Sequence, residues 1–176
     1  MEKRNVTVSA IVAAIVLIGD QLSKHWAETW LRTNGEYKIW DGVLHLRYVE
    51  NRGAAFGMMQ GGKWFFLAIT GIACAAMLYF LIKERKRLHF MMTFSIALLL
   101  SGAIGNLIDR VALGYVRDMI YVALIDFAVF NVADMAVTVG CCLLVLDLLF
   151  FKGKKGMAYG RRRRNGGISG AGVYCG

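Results

Sequence analysis

The sequence predicts an all-α membrane protein: four transmembrane helices with a small extracytoplasmic β-rich platform between helices 1 and 2. Three observations predict it. Apolar residues make up 57% of the 176-residue chain and charged residues only 19%, against ~45–50% and ~25% in a typical soluble domain. The apolar residues fall into four runs, each close to the ~20 residues a helix needs to cross a hydrocarbon core of ~30 Å. The charges are gathered into the short stretches between those runs. Such a pattern excludes a disordered chain and argues against a water-soluble globule.

The first span covers about residues 6–26 and carries Asp20 and Lys24 near its end. It closes on Gly19-Asp20-Gln21 and not on a small-x-small cleavage site, so it reads as a permanent helix. After it, Tyr37-Lys38-Ile39-Trp40 and Val43 to Val49 alternate apolar and polar residues around Asp41-Gly42. That is a hairpin or small-sheet pattern, and the platform is expected over about residues 37–57, its Trp and Tyr residues suited to the headgroup zone. The second and third spans, about 64–82 and 90–108, hold no charge. The fourth, about 130–151, has Asp134 near its start and Asp147 near its finish. Asp147, close to Lys152, reads as a group that snorkels to the surface. Residues 1–151 are therefore one membrane domain. Residues 152–176, with eight glycines and Arg161 to Arg164, read as a basic, disordered cytoplasmic tail.

Four spans put both termini on one side with the 83–89 connection. That side and its helix ends hold thirteen of the 21 lysines and arginines, while nine of the twelve acidic residues lie toward the other. The positive-inside rule makes the first side cytoplasmic. The net charge of +9 then reads as a topology signal with attraction to anionic membrane lipid, and no nucleic-acid partner is expected. Cys74, Cys141 and Cys142 fall within spans and Cys175 in the tail, with no metal-ligand spacing; they read as packing residues.

An ionised side chain inside a bilayer costs at least ~2.5–3.5 kcal/mol on insertion scales, so intramembrane polar groups invite a functional reading. Asp20 and Lys24, then Asn106, Asp109 and Arg110, then Asp118, then Asn131 and Asp134 all map to one depth, the outer membrane boundary. They describe a polar chamber. No Ser-His pair, cysteine or metal cluster serves it, which leaves carboxylates: one ionised as general base toward water, one protonated as donor to a carbonyl. Structural readings stand beside this one. Asp20 and Lys24 suit an i,i+4 ion pair, Asp109 and Arg110 a helix cap, and the asparagines cross-helix hydrogen bonds. On these grounds a small four-span carboxylate-dependent transporter stands level with a peptidase.

Five strings carry a resemblance: Asp20-Gln21-Leu22-Ser23-Lys24; Asn51-Arg52-Gly53-Ala54-Ala55-Phe56-Gly57; Gly102 to Arg110, reading GAIGNLIDR; Val116-Arg117-Asp118; and Phe130-Asn131-Val132-Ala133-Asp134. Together, in this order, they resemble the lipoprotein signal peptidases (signal peptidase II), bacterial aspartyl peptidases of the cytoplasmic membrane, over about residues 8–151. The resemblance implies removal of the signal peptide from a diacylglyceryl-modified prolipoprotein, just before the lipidated cysteine, by a monomer that needs no cofactor. It implies Asp118 and Asp134 as the catalytic pair. Asn51, Gly53, Asn106, Arg110 and Asn131 would position substrate and order the chamber, and Asp109, Asp20 and Lys24 would support it. The chain departs from the pattern at Arg117, where the family commonly has valine. On a strand Arg117 points away from Asp118, and its replacement by valine is expected to leave activity largely intact. The connection from Asp118 to Asp134 is also short, with fifteen residues between them, and the tail has no counterpart.

Overall fold

The computed structural model describes residues 2–53, 63–84 and 88–150. The expected tail, the Ala54 to Gly57 part of the platform and Phe151 lie outside these residues. The elements run α1 (Glu2–Trp26), a π-helical turn (Ala27–Leu31), α2 (Arg32–Asn34), β1 (Tyr37–Trp40), β2 (Leu44–Asn51), α3 (Lys63–Glu84), α4 (Phe90–Ala112), β3 (Val116–Val122), a 3₁₀ turn (Ala123–Ile125) and α5 (Val132–Phe150). Four helical segments among the described residues are long and apolar enough to cross a membrane: 5–34, 64–84, 90–112 and 132–150. The fold is thus mostly helical, with one small antiparallel sheet.

The helices are sided in the manner of membrane spans. On α1, Ile11, Ile15, Ile18 and Leu22 are more than half exposed, while Ser9, Asp20 and Lys24 are buried. Helical spacing separates an apolar outward stripe from a polar inward one. α4 is the central helix and packs against α5, α1 and α3. Its glycines allow close approach: a Cβ on Gly102 would come within 2.3 Å of the Ala133 carbonyl oxygen, and one on Gly105 within 2.6 Å of Asp20 Oδ2. Small residues at helix interfaces serve this purpose in membranes.

The sheet has the order β1-β2-β3. Its third strand comes from the connection between α4 and α5, so the platform draws on two separate parts of the chain and not only on the segment between the first two spans. β2 pairs antiparallel with β3, Val49 opposite Asp118 and Asn51 opposite Val116. Ala27 and Leu31 from the π turn pack on Met119 beneath the sheet. The backbone N–H groups of Met119 and Ile120 both donate to the Phe130 carbonyl at 3.0 and 2.8 Å, and the Phe130 N–H returns to Ile120 at 3.0 Å. This short bridge stitches β3 to the residue before Asn131.

Two sequence readings change elsewhere in the bundle. Asp147 does not snorkel: it is fully buried, and His89, at the start of α4, is hydrogen-bonded to it. A partner across the helix pair is what lets the carboxylate stay inside. Of the cysteines, Cys74 is buried, whereas Cys141 and Cys142 on α5 are exposed and so do not pack the interior.

Candidate active site

The site lies where the sheet meets the ends of α1 and α4 and the start of α5. Its geometry begins with how α5 is started. The first N–H groups of a helix have no intrahelical acceptors. Here Asn131 occupies the N-cap, accepting the Asp134 N–H on Oδ1 at 3.0 Å, while Asp134 Oδ2 accepts the Asn131 N–H at 3.2 Å. This is a reciprocal capping box built from Asn and Asp. A third N–H, that of Ala133, donates to Asp20 Oδ1 at 2.8 Å. Asp20 therefore reaches from α1 to the positive end of another helix, through the space that Gly105 leaves.

The capping asparagine has a second task. Its side-chain amide donates to Asp118 Oδ1 at 2.6 Å. Asp118 Oδ2 accepts from the Asn51 amide at 2.9 Å. Asn51 and Asp118 share a face because Asn51 lies opposite Val116, two residues from Asp118 along the strand. The Asn51 carbonyl is occupied by the Gly53 N–H at 3.0 Å, which turns its amide toward the carboxylate.

Asn106 completes the arrangement. Lys24 Nζ donates to its carbonyl at 2.9 Å, and its amide donates to Asp134 Oδ1 at 2.7 Å. An ammonium can only donate, and the Asn131 amide donates to the same oxygen at 3.2 Å, so Lys24 and Asn131 together set which end of the Asn106 side chain meets Asp134. Lys24 itself is fully buried between Asp20 at 2.9 Å and Asp109 at 3.5 Å. Buried charge is tolerable only when paired in this way.

Asp118 and Asp134 line one cavity of about 630 Å³, together with Asn51, Gly53, Asn106 and Arg110. Apart from Thr138 the remaining wall is apolar, including Phe130, Met135 and Val139. A smaller polar basin of about 440 Å³ adjoins it across Asn51 and Asp118 and is bordered by Arg47, Glu50 and Arg52. Burial pushes the Asp118 carboxyl up to about 7; the Asn51 and Asn131 amides and the Lys24 charge pull it down, and Asp134 adds to the rise. Arg110 stretches along the cavity, with its guanidinium 3.5 Å from the Gly53 carbonyl and 5.1 Å from the Phe66 ring centre.

Of the ten residues singled out in the sequence, Asp118, Asp134, Asn51, Gly53, Asn106 and Arg110 border the cavity. Asn131 lies behind the two aspartates and bonds to both. Asp20, Lys24 and Asp109 form a buried layer behind the asparagines. Asp109 and Arg110, adjacent in sequence, do not act together: Arg110 turns to the cavity and Asp109 turns to Arg117. The apolar wall of α5 escaped the sequence reading, although Thr138 stands one helical turn after Asp134 and Met135 and Val139 repeat that spacing. Among the described residues no group of three His, Cys, Asp or Glu side chains is placed to hold a metal ion.

Comparison with known proteins agrees with this architecture. Residues 12–150 match the family model described as Signal peptidase (SPase) II. The chain is 46% identical over 142 residues to the lipoprotein signal peptidase of Streptococcus thermophilus (strain CNRZ 1066), covering 80% of this chain and 92% of that one. It is 44% identical over 145 residues to the lipoprotein signal peptidase of Clostridioides difficile (strain 630), covering 82% and 97%. A solved bacterial membrane enzyme, determined by the in meso method at 2.3 Å resolution, superposes with a TM-score of 0.77 at 36% identity, over 85% of this chain and 92% of the other. On these matches the chain belongs to the signal peptidase II family and is a peptidase.

Proposed function

We propose that this protein is an aspartic endopeptidase that removes the signal peptide from diacylglyceryl-modified prolipoproteins, cleaving just before the lipidated cysteine, with Asp118 and Asp134 as the catalytic pair. The observation that carries the reading is that the two aspartates, from β3 and α5, open into the same cavity and are bound by the same asparagine. The names of the relatives, lipoprotein signal peptidases, support the substrate class.

In the reaction one carboxyl is protonated and the other ionised. The ionised group takes a proton from water as the oxygen attacks the scissile carbonyl, and the protonated group donates to the carbonyl oxygen. The tetrahedral gem-diol collapses as the first carboxyl passes its proton to the leaving amine of the cysteine residue and one gem-diol hydroxyl returns its proton to the second. Burial of Asp118 favours this half-protonated state, since its carboxyl titrates near neutral pH. Asn51, Asn106 and Asn131 hold the oxygens in place with amide donors that neither gain nor lose protons. Arg110 and the Gly53 carbonyl offer the substrate backbone one donor and one acceptor.

The two sides of the site suit the two sides of such a substrate. The apolar wall along α5 fits the signal peptide and acyl chains, and the polar basin over β2 fits the segment after the cysteine. In this reading the protein is a monomer of the cytoplasmic membrane with both termini cytoplasmic. The site faces the outer boundary, where acyl chains remain in lipid while water reaches the carbonyl. Purified protein incubated with a synthetic diacylated prolipoprotein should release the signal peptide, and the non-lipidated form should persist. Equal cleavage of both, or of neither, contradicts the reading.

A further inference from the structure

Arg117 is one of the departures from the resemblance named above, and its guanidinium is not idle. It points away from Asp118, as strand alternation requires, into the layer behind the site. There Nη2 donates to Asp109 Oδ1 at 2.8 Å, Nε to Asp109 Oδ2 at 3.3 Å, and the Arg117 backbone N–H to the same Oδ2 at 3.0 Å. Nη1 meets Glu28 at 3.0 Å and Nη2 also meets Gln21 at 3.2 Å. One side chain thus binds acceptors on α4, on α1 and on the π turn. The side chain is about one-tenth exposed, and Asp109 is fully buried.

Asp109 Oδ2 is also the atom that Lys24 approaches at 3.5 Å, longer than the 2.9 Å contacts of Lys24 with Asp20 and Asn106. Arg117 satisfies Asp109 and leaves the ammonium with its two nearer partners. We propose that Arg117 is a positioning residue for the reaction: by holding Asp109 it keeps Lys24 on Asn106, and so keeps the Asn106 amide on Asp134. Without the guanidinium, the buried Asp109 carboxylate has Lys24 as its remaining side-chain cation. The shortest repair is for Lys24 to move toward it, which loosens Asn106 and withdraws a positive charge from the two aspartates. The valine expectation from the sequence is therefore reversed, because it treated Arg117 only as a neighbour of Asp118 and not as a partner of Asp109.

This inference rests on Asp118 and Asp134 being the reacting pair. Arg117→Met and Arg117→Lys, purified in detergent with lipid, would be compared with wild type in kcat, KM and pH profile on a diacylated prolipoprotein. The charges that bear on the pair are Lys24 and Asp20 from α1, Arg110 from α4 and the two aspartates themselves. Arg117→Met should lower kcat by about tenfold to a hundredfold with little change in KM. It should also move the acidic limb of the profile upward by about half a pH unit, because a cation has withdrawn from the carboxylates. Arg117→Lys, which keeps the charge but not the fork, should fall between. Adding Asp109→Asn to Arg117→Met should recover much of the lost kcat, since the neutral amide no longer draws Lys24. A second readout needs no turnover: the pH at which the stability gain of Asp118→Asn over its parent levels off, which follows the carboxyl of the folded state, should rise in the Arg117→Met background. Reduced yield or Tm with a wild-type kcat and an unmoved limb would make Arg117 merely structural and overturn the inference. So would an unmoved levelling-off pH, even if wild-type protein failed to cleave and the functional reading fell separately.

Discussion

Asn131 donates its side-chain amide to Asp118 Oδ1 at 2.6 Å while its side-chain Oδ1 caps α5 by accepting the Asp134 N–H at 3.0 Å. One asparagine thereby joins the local problem of starting a helix to the alignment of two acidic side chains from separate parts of the chain. Asn131→Ala removes both. The lost cap costs about 1 kcal/mol, and turnover should fall by more than that stability loss accounts for. Tm and kcat measured on the same preparation separate the two effects.

Lys24 is a stability prediction. It is fully buried between Asp20 and Asp109 and orients Asn106. Lys24→Met leaves two buried carboxylates without their shared cation, a change that costs about 3–5 kcal/mol when one partner of a buried pair is removed. The variant should accumulate poorly and melt well below wild type. A Tm within a degree or two of wild type would show that the pair adds little.

Gly105 gives a steric test. Its missing Cβ is what lets Asp20 Oδ2 lie where it does, and an alanine carbon would approach that oxygen to 2.6 Å. Gly105→Ala should displace Asp20 from the Ala133 N–H and lower Tm, although alanine favours a helix by roughly 0.8–1 kcal/mol over glycine. A higher Tm would mean that the close approach is not required.

The pH dependence follows from Asp118. Its carboxyl is raised by burial to about 7 in the folded protein, against ~3.9 for an unperturbed aspartate. The folded state then holds the proton more tightly than the unfolded state does. The stability from that protonated group is complete below pH 4 and is lost as pH rises toward 7. Asp118→Asn escapes the loss. It should match wild type in Tm near pH 4 and exceed it at pH 8, as thermal melts across that range would record. A constant offset across that range would remove the raised titration.

Much of the fold could be read from the chain, because lipid imposes one strong rule: a span must be apolar, long and helical. The polar exceptions stood out for the same reason. Asp20, Lys24, Asn106, Asp109, Asp134 and their neighbours were conspicuous against apolar runs, and the structure gathers them at one end of the bundle. Pairing between distant segments was less visible. The third strand, Val116–Val122, lies in a connection whose alternation is blurred by Met119 and Ile120, and only pairing with β2 defines its register. The partner of Asp147 could not be seen either, since His89 is 58 residues away and meets it only when α4 and α5 pack together. Arg117 shows the same limit. Its direction followed from strand alternation, but its acceptors Gln21 and Glu28 come from α1 and the π turn after it.

Asp109 is the nearest rival to the chosen pair, and its place separates the alternatives. It is bonded to Arg117 and Lys24 in the layer behind the cavity. Asp109→Asn should therefore lower Tm and retain measurable turnover per folded molecule. Complete loss of turnover in a stable Asp109→Asn protein would move the catalytic role to that residue.

The most direct measurement is cleavage of a diacylated prolipoprotein by Asp118→Asn and Asp134→Asn proteins, each shown by thermal melting in detergent to be folded. Two carboxyls that share one water predict that either amide abolishes turnover while the protein stays intact. Near wild-type turnover by either variant would contradict the account.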